Sequence, residues 1–133
     1  MSEPTVLQAK RLGVYTCQAH ETLLAVAQRM VDEYVSALVV VNDRQELAGV
    51  VSHTDLLRAR LKSADWGAER VVDYMTRDVV TVATTNTLTD ATRLMIEKQI
   101  HRVVVVRADG NQKIPLGVIS TADLVYHMVQ QER

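Results

Sequence analysis

Cysteine, proline and aromatic residues are scarce in this chain of 133 residues, and their scarcity excludes several kinds of site. A single cysteine, Cys17, cannot form an internal disulfide or a thiolate zinc cluster. With four tyrosines, one tryptophan and no phenylalanine, the sequence shows no aromatic platform for single-stranded nucleic acid. Because aromatic side chains are few, the core must be built from aliphatic ones.

The sequence also lacks an excess of charge of either sign, and it lacks long apolar runs. The net charge of -1 creates no field that would attract phosphate backbones, so we expect no nucleic acid partner. No apolar run approaches the roughly 20 residues that cross a bilayer, and the first residues, Met1 to Thr5, lack the features of a signal peptide. We therefore expect a cytoplasmic protein with no membrane partner.

The sequence contains an internal repeat of two copies. The segment from Val14 matches the segment from Val79 at an offset of 65 residues, 79 minus 14, and the apolar tetrads at 38–41 and 103–106 stand at the same offset. After three additional residues in the second copy, the offset becomes 68, and Gly49-Val50-Val51-Ser52 matches Gly117-Val118-Ile119-Ser120. We divide the chain into a first repeat with its lead-in, residues 1–66, and a second repeat, residues 67–133.

Each copy is predicted to form a strand, a helix, two strands and a final helix. Helical spacing of apolar residues follows the N-cap candidate Thr22, at Leu23, Val26, Ala27, Met30 and Val31. Thr87 and Asp90 form a capping-box pattern at the corresponding place in the second copy. The two apolar tetrads predict strands buried on both faces, and the final helices are expected at about 55–62 and 123–129.

A unit of roughly 50 residues buries too little surface to be comfortably stable alone. We therefore expect an α/β (α+β) fold of two tandem βαββα repeats, packed through their sheets with pseudo-twofold symmetry. Clefts between the repeats would then be the natural ligand sites.

Two duplicated segments carry a family resemblance. Gly49-Val50-Val51-Ser52-His53-Thr54-Asp55-Leu56 and Gly117-Val118-Ile119-Ser120-Thr121-Ala122-Asp123-Leu124 resemble the G-h-x-[ST]-x-x-D signature of cystathionine-β-synthase (CBS) domains. The segment Tyr74-Met75-Thr76-Arg77-Asp78-Val79-Val80-Thr81-Val82 resembles the opening common in second CBS domains. The chain is identified as a member of the CBS domain pairs, also called Bateman modules, as a stand-alone module.

The resemblance implies a regulatory module without catalysis and without a required cofactor, which binds AMP, ADP, ATP or S-adenosylmethionine as a ligand. It assigns Asp55 and Asp123 to ribose hydroxyls, and Ser52 and Ser120 to ribose or phosphate. It also places four further residues at the nucleotide: Thr54, Thr76, Val80 and Thr121. However, Ser-x-x-Asp before a helix is also a plain capping box, and spacing alone does not distinguish the two interpretations.

A second motif, His101-Arg102, precedes the tetrad of the second copy and resembles the pair that contacts nucleotide phosphates in γ subunits of AMP-activated protein kinase. Arginine offers a permanent bidentate contact, and histidine one that depends on pH. The alternative is a solvated strand end. Because Ser36 and Ala37 occupy the matching positions, we expect the two repeats to bind ligand differently.

Catalysis and metal binding are disfavoured. Cys17 and His20 have no evident orienting acid, so Cys17 is expected to be a small buried hydrophobe. The histidines never occur at H-x-x-x-H spacing. Apolar residues left on the final helices predict a homodimer, and an effector protein in trans is expected: Leu56, Leu57, Leu61, Leu124, Val125, Met128 and Val129. The rival function is a ligand-free oligomerisation scaffold.

Overall fold

Each repeat folds around its own three-stranded sheet. The computed structural model describes residues 3–6 and 13–132, and it divides the chain into two units. One unit is Tyr15–Val79, and the other combines the described parts of Met1–Val14 and Val80–Arg133. The predicted α/β class, with two tandem βαββα repeats, is confirmed.

The first unit contains three strands and two α-helices, in the order β1 (Thr16–Cys17), α1 (Leu23–Glu33), β2 (Ala37–Val41), β3 (Leu47–Ser52) and α2 (His53–Lys62). Strand β1 pairs parallel to β2, and β2 pairs antiparallel to β3. Two short 3₁₀ helices follow, Trp66–Ala68 and Val71–Asp73.

The second unit repeats this plan with β4 (Thr81–Ala83), α3 (Leu88–Lys98), β5 (Arg102–Asp109), β6 (Gln112–Ser120) and α4 (Thr121–Gln131). Its sheet order is β4-β5-β6, again with one parallel and one antiparallel pair. Strands β5 and β6 are longer than their counterparts because the three additional residues extend the hairpin between them. Gly110 lies in that hairpin with φ of 62°.

The predicted caps and buried strands are confirmed. Thr22 accepts a hydrogen bond from the Ala25 amide, and Thr87 forms the expected capping box with Asp90. The two tetrads are almost inaccessible to solvent: Leu38, Val39, Val40, Val41, Val103, Val104, Val105 and Val106. Aliphatic side chains thus fill both cores, as the shortage of aromatic residues required.

One part of the predicted helical stripe is wrong. Val31 is 72% exposed, and its counterpart Ile96 is 74% exposed, although both continue the apolar spacing. Counting 100° per residue, Val31 is rotated by roughly 80° from Leu23, whereas Val26 and Met30 stay within about 60° of it. The buried face of α1 is therefore the narrower line of Leu23, Val26 and Met30.

The segment that precedes the first strand of each repeat, its lead-in, packs into the core of the other repeat. Val71, which begins the lead-in to the second copy, donates its amide to the Glu21 carbonyl at 3.0 Å and is fully buried in the first unit. Val6 stands 65 residues earlier, donates to the Asn86 carbonyl at 2.8 Å and is fully buried in the second unit. The duplication therefore extends upstream of Val14 in structure, although little in the sequence marks it.

None of the helices in the described part of the chain has the length and apolar character of a bilayer-spanning segment.

We predict that Val6→Ala and Val71→Ala each lower the free energy of unfolding by about 2 kcal/mol, because each removes two buried methyl groups from a core. The matched control is Val72→Ala, whose side chain is 37% exposed and which should cost less than about 0.5 kcal/mol. Urea unfolding followed by circular dichroism measures all three. A Val6→Ala variant as stable as the Val72→Ala control would contradict the packing of each lead-in into the core of the other repeat.

Candidate functional site

Ser120 and Asp123 lie at the junction where β6 ends and α4 begins. The Asp123 carboxylate accepts hydrogen bonds from the Ser120 amide at 2.7 Å and from the Ser120 hydroxyl at 3.0 Å. The Asp123 amide in turn donates to the Ser120 Oγ at 3.2 Å, which completes a capping box. The junction thus holds a half-buried carboxylate in a fixed position at the helix start.

The His101-Arg102 pair lies beside this junction. Arg102 is the direct partner of Ser120 in the antiparallel pair β5–β6, and the Thr121 amide donates to the His101 carbonyl at 3.0 Å. Because that bond joins His101 to Thr121, Arg102 and Ser120 form the closer, non-hydrogen-bonded type of pair, with Cβ atoms about 5 Å apart. Two motifs that are separate in the sequence therefore meet at one place.

Val80 belongs to the same end of the sheet. It precedes β4, and its carbonyl accepts the Val104 amide at 3.1 Å. Because β4 and β5 run parallel and β6 runs antiparallel to β5, the starts of β4 and β5 lie with the end of β6. The structure thus brings together six of the predicted residues, which we call the second junction: Val80, His101, Arg102, Ser120, Thr121 and Asp123.

The second junction combines groups suited to a polar anionic ligand. It offers a guanidinium, an imidazole, two hydroxyls and a carboxylate, and an apolar side chain from Val80. His101 and Thr121 are exposed, while Arg102, Ser120 and Asp123 are half-buried. Half-buried charges interact more strongly with a ligand than fully solvated ones do, because less water screens them.

Ser52, Thr54 and Asp55 lie at the corresponding first junction, where β3 ends and α2 begins. The Asp55 carboxylate accepts the Ser52 amide at 2.8 Å and the Ser52 hydroxyl at 3.1 Å. The framework is the same, because Ala37 pairs with Ser52 as Arg102 pairs with Ser120. The surroundings differ, since Asp55 is only 4% exposed, whereas Asp123 is half-buried.

Arg58 also contacts the first junction and was not found by sequence reasoning. Its guanidinium donates to Asp55 Oδ1 at 3.2 Å, so both carboxylate oxygens of Asp55 have partners within the repeat. The available signal was the spacing of three residues between Asp55 and Arg58 on a helix, which favours an ion pair. Tyr126 stands at the matching position of the second repeat, at the offset of 68.

Thr76 lies in the first unit, beside the strand that leads to the first junction. Its amide donates to the Val50 carbonyl at 2.8 Å, and its carbonyl accepts the Val50 amide at 2.9 Å. A Cβ on neighbouring Gly49 would lie 2.7 Å from the Thr76 carbonyl oxygen. The signature glycine is therefore required by a close backbone approach, and Thr76 is held against the strand that ends at Ser52.

Cys17 is packed in the core of the first unit and is only 2% exposed. Burial, together with the nearby Glu21 carboxylate, raises the pKa of its thiol to about 12. A neutral, inaccessible thiol is a poor nucleophile, so the interpretation of Cys17 as a small buried hydrophobe is confirmed. In residues 3–6 and 13–132, no three His, Cys, Asp or Glu side chains are placed to hold a metal ion.

Comparison with known proteins gives the same family for both repeats. A family model described as "CBS domain" matches residues 9–62 and 71–130. The crystal structure of CBSX2 in complex with AMP is 26% identical, with a TM-score of 0.83 over 98% of this chain and 99% of that one. The CBS domain structure NE2398 is 25% identical, also with a TM-score of 0.83, over 96% of this chain and 99% of that one.

Curated relatives are longer than this chain. A protein from Methanopyrus kandleri is 28% identical over 94% of the chain, which spans 63% of that protein. The chain spans 35% and 22% of two relatives from Methanocaldococcus jannaschii. The γ-3 subunit of 5'-AMP-activated protein kinase from Sus scrofa is 51% identical over 51 residues, which are 38% of this chain and 10% of that subunit.

Proposed function

The chain belongs to the CBS-domain family, and on that premise we propose that it is a non-catalytic regulatory module that binds an adenosine-containing nucleotide such as AMP, ADP or ATP. The observation that carries this proposal is the pairing of Arg102 with Ser120, because the amide and hydroxyl of Ser120 hold the signature carboxylate of Asp123. A nucleoside phosphate needs both, a carboxylate for its ribose diol and a cation for its phosphate.

The proposed contacts follow from the chemistry of each group. Asp123 accepts the ribose hydroxyls, and Ser120 and Thr121 lie beside the ribose or phosphate. Arg102 makes a bidentate contact with a phosphate, and His101 adds a second one that strengthens as its imidazole becomes protonated. Val80 provides apolar contact. Ser52, Thr54, Asp55 and Thr76 remain predicted contacts of the first repeat.

Two relatives support an adenosine ligand. CBSX2, which is 26% identical over nearly its whole length, was crystallised with AMP, and the kinase subunit that is 51% identical over 51 residues belongs to an AMP-activated enzyme. S-adenosylmethionine is the alternative ligand, because it shares the adenosine but lacks a phosphate for Arg102. A ligand-free scaffold is the alternative function, since both capping boxes also stabilise helices without any ligand.

A cytoplasmic location and an effector protein in trans belong to the same proposal. The effector is supported by the matched kinase subunit, which is by its name one part of a larger enzyme. Ligand occupancy would then be passed on by contact with another protein rather than by chemistry within this chain.

Self-association is the remaining part of the proposal. Several apolar side chains of α2 and α4 are exposed by 47% or more: Leu57, Leu61, Val125, Met128 and Val129. Apolar surface of this kind favours a partner, and we propose a homodimer that covers these helices.

We predict that Arg102→Ala weakens AMP or ATP binding about ten- to a hundredfold, because it removes a charge-assisted contact worth about 1.5–3 kcal/mol. Binding of adenosine should change little, since adenosine carries no phosphate. Isothermal titration calorimetry measures both. Arg107→Ala is the matched control, because Arg107 lies exposed on the same strand but away from the junction.

The same calorimetry separates the alternatives. An Arg102→Ala variant that keeps the wild-type preference for AMP over adenosine would contradict the role of Arg102. Wild-type protein that binds only S-adenosylmethionine would favour the alternative ligand, and wild-type protein that binds none of these molecules would favour the scaffold.

For the homodimer, we predict that Leu61→Glu with Met128→Glu converts a dimer into a monomer at tens of micromolar, roughly the concentration of such assays, because buried carboxylates without partners are costly. Light scattering reports the mass directly. The control is Val31→Glu, which adds the same charge at a 72% exposed position on α1. A monomeric wild-type chain, or dissociation by Val31→Glu alone, would contradict the proposed interface.

A further inference from the structure

The residue three positions after the signature aspartate lies one turn along the final helix of each repeat. In the first repeat this residue is Arg58, and its guanidinium reaches back to Asp55 Oδ1 at 3.2 Å. Side chains on a helix lean toward its N-terminus, and residues three apart have Cβ atoms about 5–6 Å apart. A side chain at this position therefore lies beside the signature carboxylate of its own repeat.

Tyr126 occupies the equivalent position in the second repeat. Both final helices begin directly after the signature serine, and in both the aspartate is the third helical residue and this position is the sixth. Both helix starts also carry the same capping box. The geometry that brings Arg58 to Asp55 thus places Tyr126 beside Asp123.

The ring of Tyr126 is not used by the core. Leu124 is the buried residue of α4, whereas Tyr126 is 61% exposed. The ring meets the half-buried imidazole of His127 in a T-shaped contact, with centroids 5.8 Å apart and planes at 87°. This contact favours one orientation of the ring, and the exposure leaves aromatic surface accessible to a ligand.

The structure of a nucleoside determines which of its parts lies near this ring. The base is bonded to the ribose carbon next to the diol, and the phosphate is attached at the other end of the sugar. If Asp123 holds the diol, the base lies close to the side chains that neighbour Asp123. Every purine has a flat face on which an aromatic side chain can stack.

We propose that Tyr126 stacks on the base of an adenosine-containing ligand whose ribose is held by Asp123. This inference rests on the proposed function and adds to it the residue that recognises the base at the second junction. The second repeat offers an aromatic ring at this position, where the first repeat has Arg58.

The test is calorimetric titration with AMP of wild type, Tyr126→Ala and Tyr126→Phe. We expect Tyr126→Ala to weaken AMP binding about five- to a hundredfold, because it removes the stacking face. Tyr126→Phe keeps that face and should stay within about twofold of wild type. The matched control is Gln130→Ala, which removes an exposed side chain one turn farther along α4 and should also stay within about twofold.

A second measurement locates the base directly. In the wild-type complex with AMP we expect nuclear Overhauser effects between the adenine H8 or H2 proton and the ring protons of Tyr126. Tyr126→Phe assigns those ring signals, because it removes them from the tyrosine spectrum. This measurement uses the wild-type chain, so it also decides the question if Tyr126→Ala does not fold.

Four results would overturn the inference and leave the proposed function intact. They are a folded Tyr126→Ala variant with wild-type affinity for AMP, an equal loss in Tyr126→Ala and Gln130→Ala, no Overhauser effect at saturating AMP, and a loss of affinity in Tyr126→Ala that comes with a change of mass in light scattering. The last result would assign Tyr126 to self-association. A wild-type chain that binds no adenosine-containing ligand would overturn the proposed function and the inference together.

Discussion

The register of the antiparallel pair β5–β6 is the constraint on which the candidate site depends. A shift by one residue would move Arg102 to the other face of the sheet and away from Ser120. The valines of β5 are buried on both faces, so alternation of apolar residues alone does not set this register. The hairpin does, since Gly110 adopts a positive φ in the turn and the register shifts at Leu116, between the pairs Val105–Gly117 and Val106–Pro115.

Most of the fold was predictable from the sequence because the duplication places a similar sequence pattern at the corresponding helices and strands of both repeats. Thr22 and Thr87 mark the same helix start, and the two apolar tetrads mark the same strand. The lead-ins were missed because Val6 and Val71 each stand in a pair of apolar residues, too short to mark an element, within otherwise dissimilar segments. Their side chains pack into cores whose other residues are distant in the sequence, and their amides bond to Asn86 and Glu21, which no local pattern reveals.

The candidate site was predictable in part. The motifs around His101 and Asp123 could be found separately, but their meeting depends on strand pairing across a loop of variable length. The choice between a capping box and a ligand contact could not be made from spacing. The structure shows that the capping box is present in both repeats, although Asp123 is half-buried, whereas Asp55 is buried and pairs with Arg58. That difference depends on side-chain packing, which a motif does not encode.

Duplication followed by divergence explains why equivalent positions of the two repeats have different roles. Both repeats keep the residues that hold the strand-to-helix junction, Ser52 with Asp55 and Ser120 with Asp123. They differ where a ligand would be recognised, at the strand start and one turn along the final helix. In the first repeat the cation lies on the helix, where Arg58 pairs with the carboxylate of Asp55. The most direct test is an NMR titration of ¹⁵N-labelled chain with AMP, in which we predict the largest amide shifts at 101–104 and 119–124 and small ones at 36–39 and 52–56. No shifts at up to about 1 mM AMP, or the largest shifts in the first repeat, would contradict nucleotide binding at the second junction.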